Sequence, residues 1–350
     1  MKRIGLDIGT KHIVLAYLDE NNNRKVRYEV NGYLSFPRGD SFMEQLLLAQ
    51  KIPFVTRDDG KGNKEFIAIG KMAEQLAYSL NRTLCRPMAE GGISKYDEDA
   101  QEVIAIIIKS IIGKLTEDTI IYYCTTAKPI NNQSLNVDFH RKVVKLIIEG
   151  YKGEAEIKAF HINEARCLVL KETVPAIGIS WGAGTVTVHA GIFGVPIFEF
   201  SVCGSGDWVD VEAAKRFGYD PTHPNGEYVE TPTIICRRKE GMDLRKTPED
   251  RVGQAIYLMY EILIENVVKG IAEGFRENKG KFRFDKPVNI VNAGGSSMPD
   301  GFIEMFSKKL KDVDLDIPLG EVKRVDNPLF AVAYGCLTAA ELHKEEKGNQ

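Results

Sequence analysis

Cationic excess is missing from this 350-residue chain. Its 46 Lys and Arg face 49 Asp and Glu, a net charge of −3, whereas affinity for nucleic acid rests on clustered cations. Direct nucleic-acid binding is therefore not expected. Histidine is scarce, with six residues and no HxxxH or HExxH spacing, so a protein-built zinc site is not expected either. The six cysteines (85, 124, 167, 203, 236 and 336) form no CxxC pair and mostly lie inside apolar runs. That usage predicts buried, reduced thiols and a cytoplasmic location. No targeting leader is read, because Met1-Lys2-Arg3 runs straight into an apolar segment. No transmembrane segment is read either. The longest apolar stretch, 255–275, carries Glu261, Glu265 and Lys269 on one stripe. Ile256, Met259, Tyr260, Leu263, Ile264, Val267 and Ile271 fall on the other face, which predicts an amphipathic helix with one buried side.

What the chain does have is apolar content for a large core: 43% hydrophobic and 27% charged residues predict two domains at this length. Glycine supplies the organising pattern. In 176–210, an apolar run meets Gly182-Ala183-Gly184-Thr185, an alternating strand follows over 186–190, and a further turn comes at Gly204-Ser205-Gly206-Asp207. Glycines at such a turn let backbone amides approach a phosphate with no Cβ in the way, although the same spelling also closes an ordinary hairpin. The start of the chain repeats the device, with an apolar run over 4–8, the turn Gly9-Thr10-Lys11 and a strand over 12–18. Two such units predict a duplicated domain gripping one phosphate chain from both sides. A third glycine pair, Gly294-Gly295-Ser296-Ser297, follows the apolar run 288–293. It is predicted to open a helix, whose N-terminus is a natural seat for a nucleotide.

Strands are predicted at 3–8, 12–18 and 25–30. Residues 33–100 read as an irregular insertion with a helix over 41–50, strands over 52–56 and 65–69, and a hairpin tip over 58–63. Phe42, Met43, Leu46, Leu47 and Leu48 are expected to pack onto this lobe. A helix over 100–115, a buried strand over 119–125, a helix over 138–149 and a strand over 154–160 lead to Asn163-Glu164. Further on, a helix reaches Phe217, a loop spans 219–226, and a helix runs from Thr231-Pro232 to Gly241 with Thr231 as N-cap and proline at the first position.

Five stretches resemble, in order, the landmarks of the actin-like ATPases. Asp7–Lys11 is similar to their first phosphate loop, Ile162-Asn163-Glu164-Ala165-Arg166 to the first connecting helix, and Ser180–Thr185 to the second phosphate loop. Asn292–Ser297 resembles the adenosine motif and 331–335 the second connecting helix. Ala68-Ile69-Gly70-Lys71-Met72-Ala73, Arg86-Pro87-Met88-Ala89-Glu90-Gly91 and Ser201-Val202…Gly206-Asp207…Asp210 resemble the bacterial MreB/MamK branch. The resemblance covers nearly the whole chain. It implies an α/β chain in the actin-like (duplicated ribonuclease-H-like) two-domain fold, with a nucleotide cleft between the halves. The first half would be 1–150 plus 328–345, with an outer lobe at about 33–100. The second would be 151–325, its outer lobe at about 211–247 reduced, since the extra strands usual in MreB-type proteins are not found there.

The resemblance also implies ATP and Mg²⁺ as cofactors and assigns roles. Asp7 would hold the metal through water, and Glu164 would orient or deprotonate the attacking water, although a glutamate opening a helix is also ordinary dipole chemistry. Gly9, Thr10, Lys11, Gly182, Ala183, Gly184, Thr185, Gly206 and Asp207 would surround the phosphates. Gly294, Gly295 and Ser296 would pack on the adenosine, with Lys239 and Glu240 as candidates to clamp base or ribose from a second helix, as is Arg238. Trp181 is read as core. Ser180 departs from the pattern, because relatives usually carry aspartate there and serine supplies no charge.

These features imply a cytoplasmic actin-like protein, its nucleotide-dependent partner being further copies of itself in a filament, with an adaptor protein as another partner and hydrolysis slowed by Ser180. An alternative is a non-polymerising chaperone-like or reactivating ATPase, against which the chain shows no separate substrate-binding domain. A small-molecule kinase of the same superfold would need a base for a hydroxyl, and none beyond the motif acids is read. The fold itself does not choose among them.

Overall fold

The computed structural model describes residues 1–343 apart from 40, 51, 53, 59–63, 81, 95, 96, 98, 151–154, 193 and 225. The expected hairpin tip lies almost wholly outside the described residues.

β1 (Lys2–Ile8), β2 (His12–Leu18) and β3 (Arg24–Val30) form an antiparallel meander. The chain then leaves for an outer lobe of β4 (Tyr33–Gly39), α1 (Ser41–Ala49), β5 (Phe54–Asp58), β6 (Lys64–Ile69) and α2 (Lys71–Ser79), whose strands pair in the order β4-β6-β5. A two-stranded ribbon, β7 (Met88–Ala89) and β8 (Gly92–Ile93), brings it back. α3 (Ala100–Ile112), β9 (Thr119–Thr125), α4 (Val137–Glu149) and β10 (Ile157–Asn163) follow. β9 lies parallel to β1, and β10 parallel to β9, giving the order β10-β9-β1-β2-β3. Val103, Ile104, Ile107, Ile108 and Ile111 of α3 are buried in the core beneath this sheet, each contributing about 1.5–3 kcal/mol of apolar burial.

α5 (Glu164–Cys167) leads to a second meander, β11 (Ala176–Trp181), β12 (Thr185–Ile192) and β13 (Val195–Cys203). α6 (Gly206–Lys215), α7 (Pro232–Glu240) and α8 (Arg251–Glu277) precede β14 (Val288–Ala293), a 3₁₀ turn at Gly295–Ser297, α9 (Phe302–Lys311) and β15 (Leu319–Arg324). The order β13-β12-β11-β14-β15, with β14 and β15 parallel to β11, copies the first sheet strand for strand. α10 (Ala331–Leu342) then crosses back to the first half.

The connecting helices rest on the two sheets at one glycine each. A Cβ on Gly5 of β1 would strike Ala333 O and Leu337 N of α10, and one on Gly178 of β11 would strike Ala165 O of α5. Backbone is thereby packed on backbone at the middle of each sheet, which only a residue without a side chain permits.

Several sequence expectations change here. β10 pairs with β9, so the strand assigned to the second half completes the first sheet, which ends at Asn163 and not near residue 150. The insertion is more regular than expected, with β4 and α2 added. Among the described side chains of α1 Leu47 packs inward, at 2% exposed, while Phe42 and Leu48 are 69% and 61% exposed, and the Met43 side chain lies outside the described residues. The glycine pair after β14 opens a single 3₁₀ turn, and α9 begins only at Phe302 beyond Pro299. Between α6 and α8 the described residues hold α7 and no strand of a sheet. α7 starts as its spelling requires, Thr231 accepting from Ile234 N with Pro232 in the first turn. α8 buries Ile256, Met259, Tyr260, Leu263, Ile264, Val267 and Ile271, and none of the described helices is long and apolar enough to cross a membrane.

Candidate functional site

The two glycine turns are built alike. Gly9 N donates to His12 O and Gly182 N to Thr185 O, both at 3.0 Å. A Cβ on Gly9 would lie 2.7 Å from His12 O, and one on Gly182 would lie 2.9 Å from Thr185 O. Asn31 braces the first turn from behind, its Nδ2 donating to Gly9 O and its backbone amide to Lys11 O, both at 2.9 Å. At the second turn, Gly182 O accepts the hydroxyls of Ser205 and Ser296, each at 2.7 Å. These bonds draw the segments at 182–185, 204–207 and 294–297 together. Gly294 takes φ +96°, where a Cβ would also collide with Trp181 O. Across the gap, a Cβ on Gly184 would come 2.5 Å from Thr10 Oγ1 and 2.8 Å from Gly91 N.

A cleft of about 310 Å³ opens between these turns. Asp7, Gly9, Thr10, Lys11, Glu164, Gly182, Ala183, Gly184, Thr185, Gly206, Asp207, Lys239, Glu240, Gly294, Gly295 and Ser296 all line it. Arg238 does not: it turns outward to pair with Asp250. Trp181 is fully buried, with Nε1 donating to Asn292 Oδ1 at 2.9 Å and edge contacts to Phe302 and Phe306.

The floor of the cleft carries two buried acids. Burial raises Asp7 to about 6, against the lowering effect of the Cys124 thiol that donates to Oδ1 at 3.2 Å. Glu164 is pushed up to about 8 by burial and then by Asp7. Its carboxyl is gripped by the Thr187 hydroxyl on Oε1 and by Ser180 Oγ on Oε2 at 3.5 Å. A cation or a polar ligand here would relieve both acids.

Cations line the walls. Lys11 Nζ lies 3.1 Å from Glu240 Oε1 and 3.3 Å from Cys236 Sγ, an ion pair that joins the two halves. Lys239 is held more deeply, 2.6 Å from Asp210 Oδ1 and donating to Gly206 O at 2.7 Å. Burial works against its ammonium, but Asp210 together with Cys236 and Asp207 outweighs it and Lys239 sits above the ordinary lysine range. Lys239 therefore ties α7 to α6 rather than standing free in the cleft. Asp210, Asn31, Thr126 and Thr187 belong to the site beyond the sequence expectation. The only sequence signal for them was the Gly206-Asp207…Asp210 spacing, because the others are ordinary polar residues on strands or at their ends.

Outside the cleft the two outer lobes meet. Arg237 lies over the ring of Tyr78, 3.3 Å from its centroid, Thr83 Oγ1 donates to Pro224 O at 3.1 Å, and Arg86 Nη2 is 3.7 Å from Asp207 Oδ1.

A duplicated sheet pair with a glycine-lined cleft between its copies is the actin-like fold. The chain belongs to the volactin family, whose model matches residues 1–340. Among solved structures it is similar to a MamK double helical filament, at 17% identity and TM-score 0.68, with 98% of this chain and 99% of that one covered. It is also similar to Ta0583, an archaeal actin homolog, at 16% identity and TM-score 0.58 over 97% and 99%. A non-polymerising MamK mutant bound to AMPPNP aligns at 16% identity and TM-score 0.54 over 97% and 98%. No curated protein matches the sequence.

Proposed function

We propose that this chain binds ATP with Mg²⁺ in the cleft between its halves and assembles into filaments whose formation depends on the nucleotide. The observation that carries this reading is the pair of matching glycine turns, facing each other so closely that Gly184 meets Thr10. Their backbone and the Thr10 and Thr185 hydroxyls suit phosphate oxygens, and Lys11 adds a cation that Glu240 now occupies. The cleft volume lies at the low end for small-molecule sites. Asp7 and Glu164 fit a divalent cation, since burial leaves both acids short of positive charge. Asp7 would hold that ion through water, and the ion's chemistry is neutralisation of phosphate charge. Glu164, once deprotonated, is a base of suitable strength for an attacking water near neutral pH. Ser180 holds Glu164 but brings no charge, so hydrolysis is slow. Solved relatives support assembly: one is a MamK filament, and another MamK form carries AMPPNP.

Closure of the two halves on one ligand gives a state that a neighbouring subunit can recognise. Titration calorimetry with Mg·ATP tests binding, and sedimentation with electron microscopy in ATP, ADP and no nucleotide tests assembly. Absence of binding overturns the reading. Binding without polymer favours a chaperone-like role.

A further inference from the structure

The carboxyl of Glu164 is the end of a buried chain of hydroxyls that crosses from one half to the other. Thr126 directly follows β9 of the first sheet, and Thr187 lies on β12 of the second. Their Oγ1 atoms are 2.7 Å apart, and Thr187 Oγ1 reaches Glu164 Oε1. Thr187 is fully buried, so no solvent replaces its bond to Glu164, whereas Thr126, 4% exposed, also lines the cleft. A threonine hydroxyl has one proton to give. If Thr187 gives its proton to the carboxylate, Thr126 must supply the proton that Thr187 accepts. With Glu164 ionised the chain therefore has a direction, and its source lies in the half opposite Thr187.

We propose that Thr126 and Thr187 are positioning residues that set the Glu164 carboxylate for its water. The assignment rests on the nucleotide reading above. Ser201, which pairs with Thr187 in the second sheet, donates its hydroxyl to Ala127 O at 2.8 Å and its amide to Lys128 O at 3.0 Å, so the segment after Thr126 is held in register with Thr187. Without the Thr126 hydroxyl, Thr187 is free to turn its own hydroxyl away from Glu164.

The test uses the full chain with Thr126→Val, Thr187→Val and Thr126→Ser, since valine keeps the shape of threonine and removes its hydroxyl. Mg·ATP affinity is measured by calorimetry, and single-turnover phosphate release is measured across the pH range. The Glu164 carboxyl is titrated by ¹³C NMR, which reports even where turnover is slow. Thr126→Val should bind nucleotide within about twofold of wild type and release phosphate about tenfold more slowly, the worth of one hydrogen bond to a charged group. The midpoints of the rate profile and of the carboxyl titration should both move to higher pH, and Thr126→Ser should restore them. Thr187→Val should act in the same direction and more strongly. Normal binding with an unshifted Glu164 titration overturns the assignment alone, as does a rate loss that serine does not rescue. A wild type that binds no nucleotide overturns the nucleotide reading, and the assignment falls with it.

Discussion

Asp7 and Ser180 stand at the same point of two copies of one fold. Each lies in the first strand of its sheet, two residues beyond the glycine that supports a connecting helix and two before the glycine of the turn. The acid of the first copy therefore faces a hydroxyl in the second. Ser180→Asp would place a third carboxyl beside Asp7 and Glu164, which are already short of positive charge. The substitution should lower the melting temperature without ligand and enlarge the stabilisation by Mg·ATP. Phosphate release should rise on the order of tenfold, the scale of ~1–3 kcal/mol for interactions with a charged group. Parallel phosphate-release assays check this, and a fast wild type unchanged by the substitution refutes it.

The acid Glu164 makes stability depend on pH. Its pKa is about 8 in the folded chain against an ordinary value of 4.5. The folded state thus binds the proton more tightly than the unfolded one, and stability falls as pH rises from about 4.5 to about 8. Glu164→Gln removes that penalty. In thermal unfolding without ligand, the variant should melt several degrees above wild type at pH 8, since about 1 kcal/mol moves the midpoint by roughly 2–4 °C at larger domain sizes. The gap should close near pH 4.5. A gap independent of pH would count against the buried acid as its source.

Gly5 and Gly178 have no room for a methyl group, because the obstacle at each is helix backbone. Gly5→Ala and Gly178→Ala should each cost about 3 kcal/mol or more, as overpacking against backbone cannot relax by a rotamer change. Gly241→Ala is the control: its Cβ would meet only Arg238 O at 3.8 Å, and its φ is −99°. Denaturant unfolding should show two destabilised variants and one near wild type.

The contact of Arg237 on Tyr78 bridges the lobes beside a second pocket of about 750 Å³, which shares Lys11, Asp207 and Glu240 with the cleft. A partly desolvated cation–π pair is worth about 0.5–2 kcal/mol. On the nucleotide reading, Tyr78→Ala should release a fluorescent ATP analogue roughly 2- to 30-fold faster and leave hydrolysis per bound nucleotide unchanged. Stopped-flow displacement measures it, and an unchanged release rate would remove this contact from control of exchange.

Much of this architecture is written in short stretches of chain. Gly9-Thr10-Lys11 and Gly182-Ala183-Gly184-Thr185 announce their turns because the missing Cβ that lets Gly9 and Gly182 close on the carbonyl three residues ahead is a local steric demand. The Thr231-Pro232 start of α7 and the striped face of α8 were legible for the same reason: caps and periodicity act within a few residues. The outer lobe was harder to read. Phe42, Leu46 and Leu48 look like core in sequence, and nothing nearby says that they stay exposed while Leu47 is buried.

By itself the sequence determined the doubled strand–turn–strand plan, the helix starts and the inventory of acids, glycines and cations. It could not determine that β10 belongs to the first sheet, because parallel pairing joins strands through a long crossover and leaves no local mark. Nor could it show that Asn31 braces the first turn, that Asp210 holds Lys239, or that Thr126 reaches Thr187. Those relations join residues 22 to 61 positions apart. They exist only once two independent sheets have been packed face to face on α5 and α10, where burial gives each unpaired polar group a strong reason to find a partner.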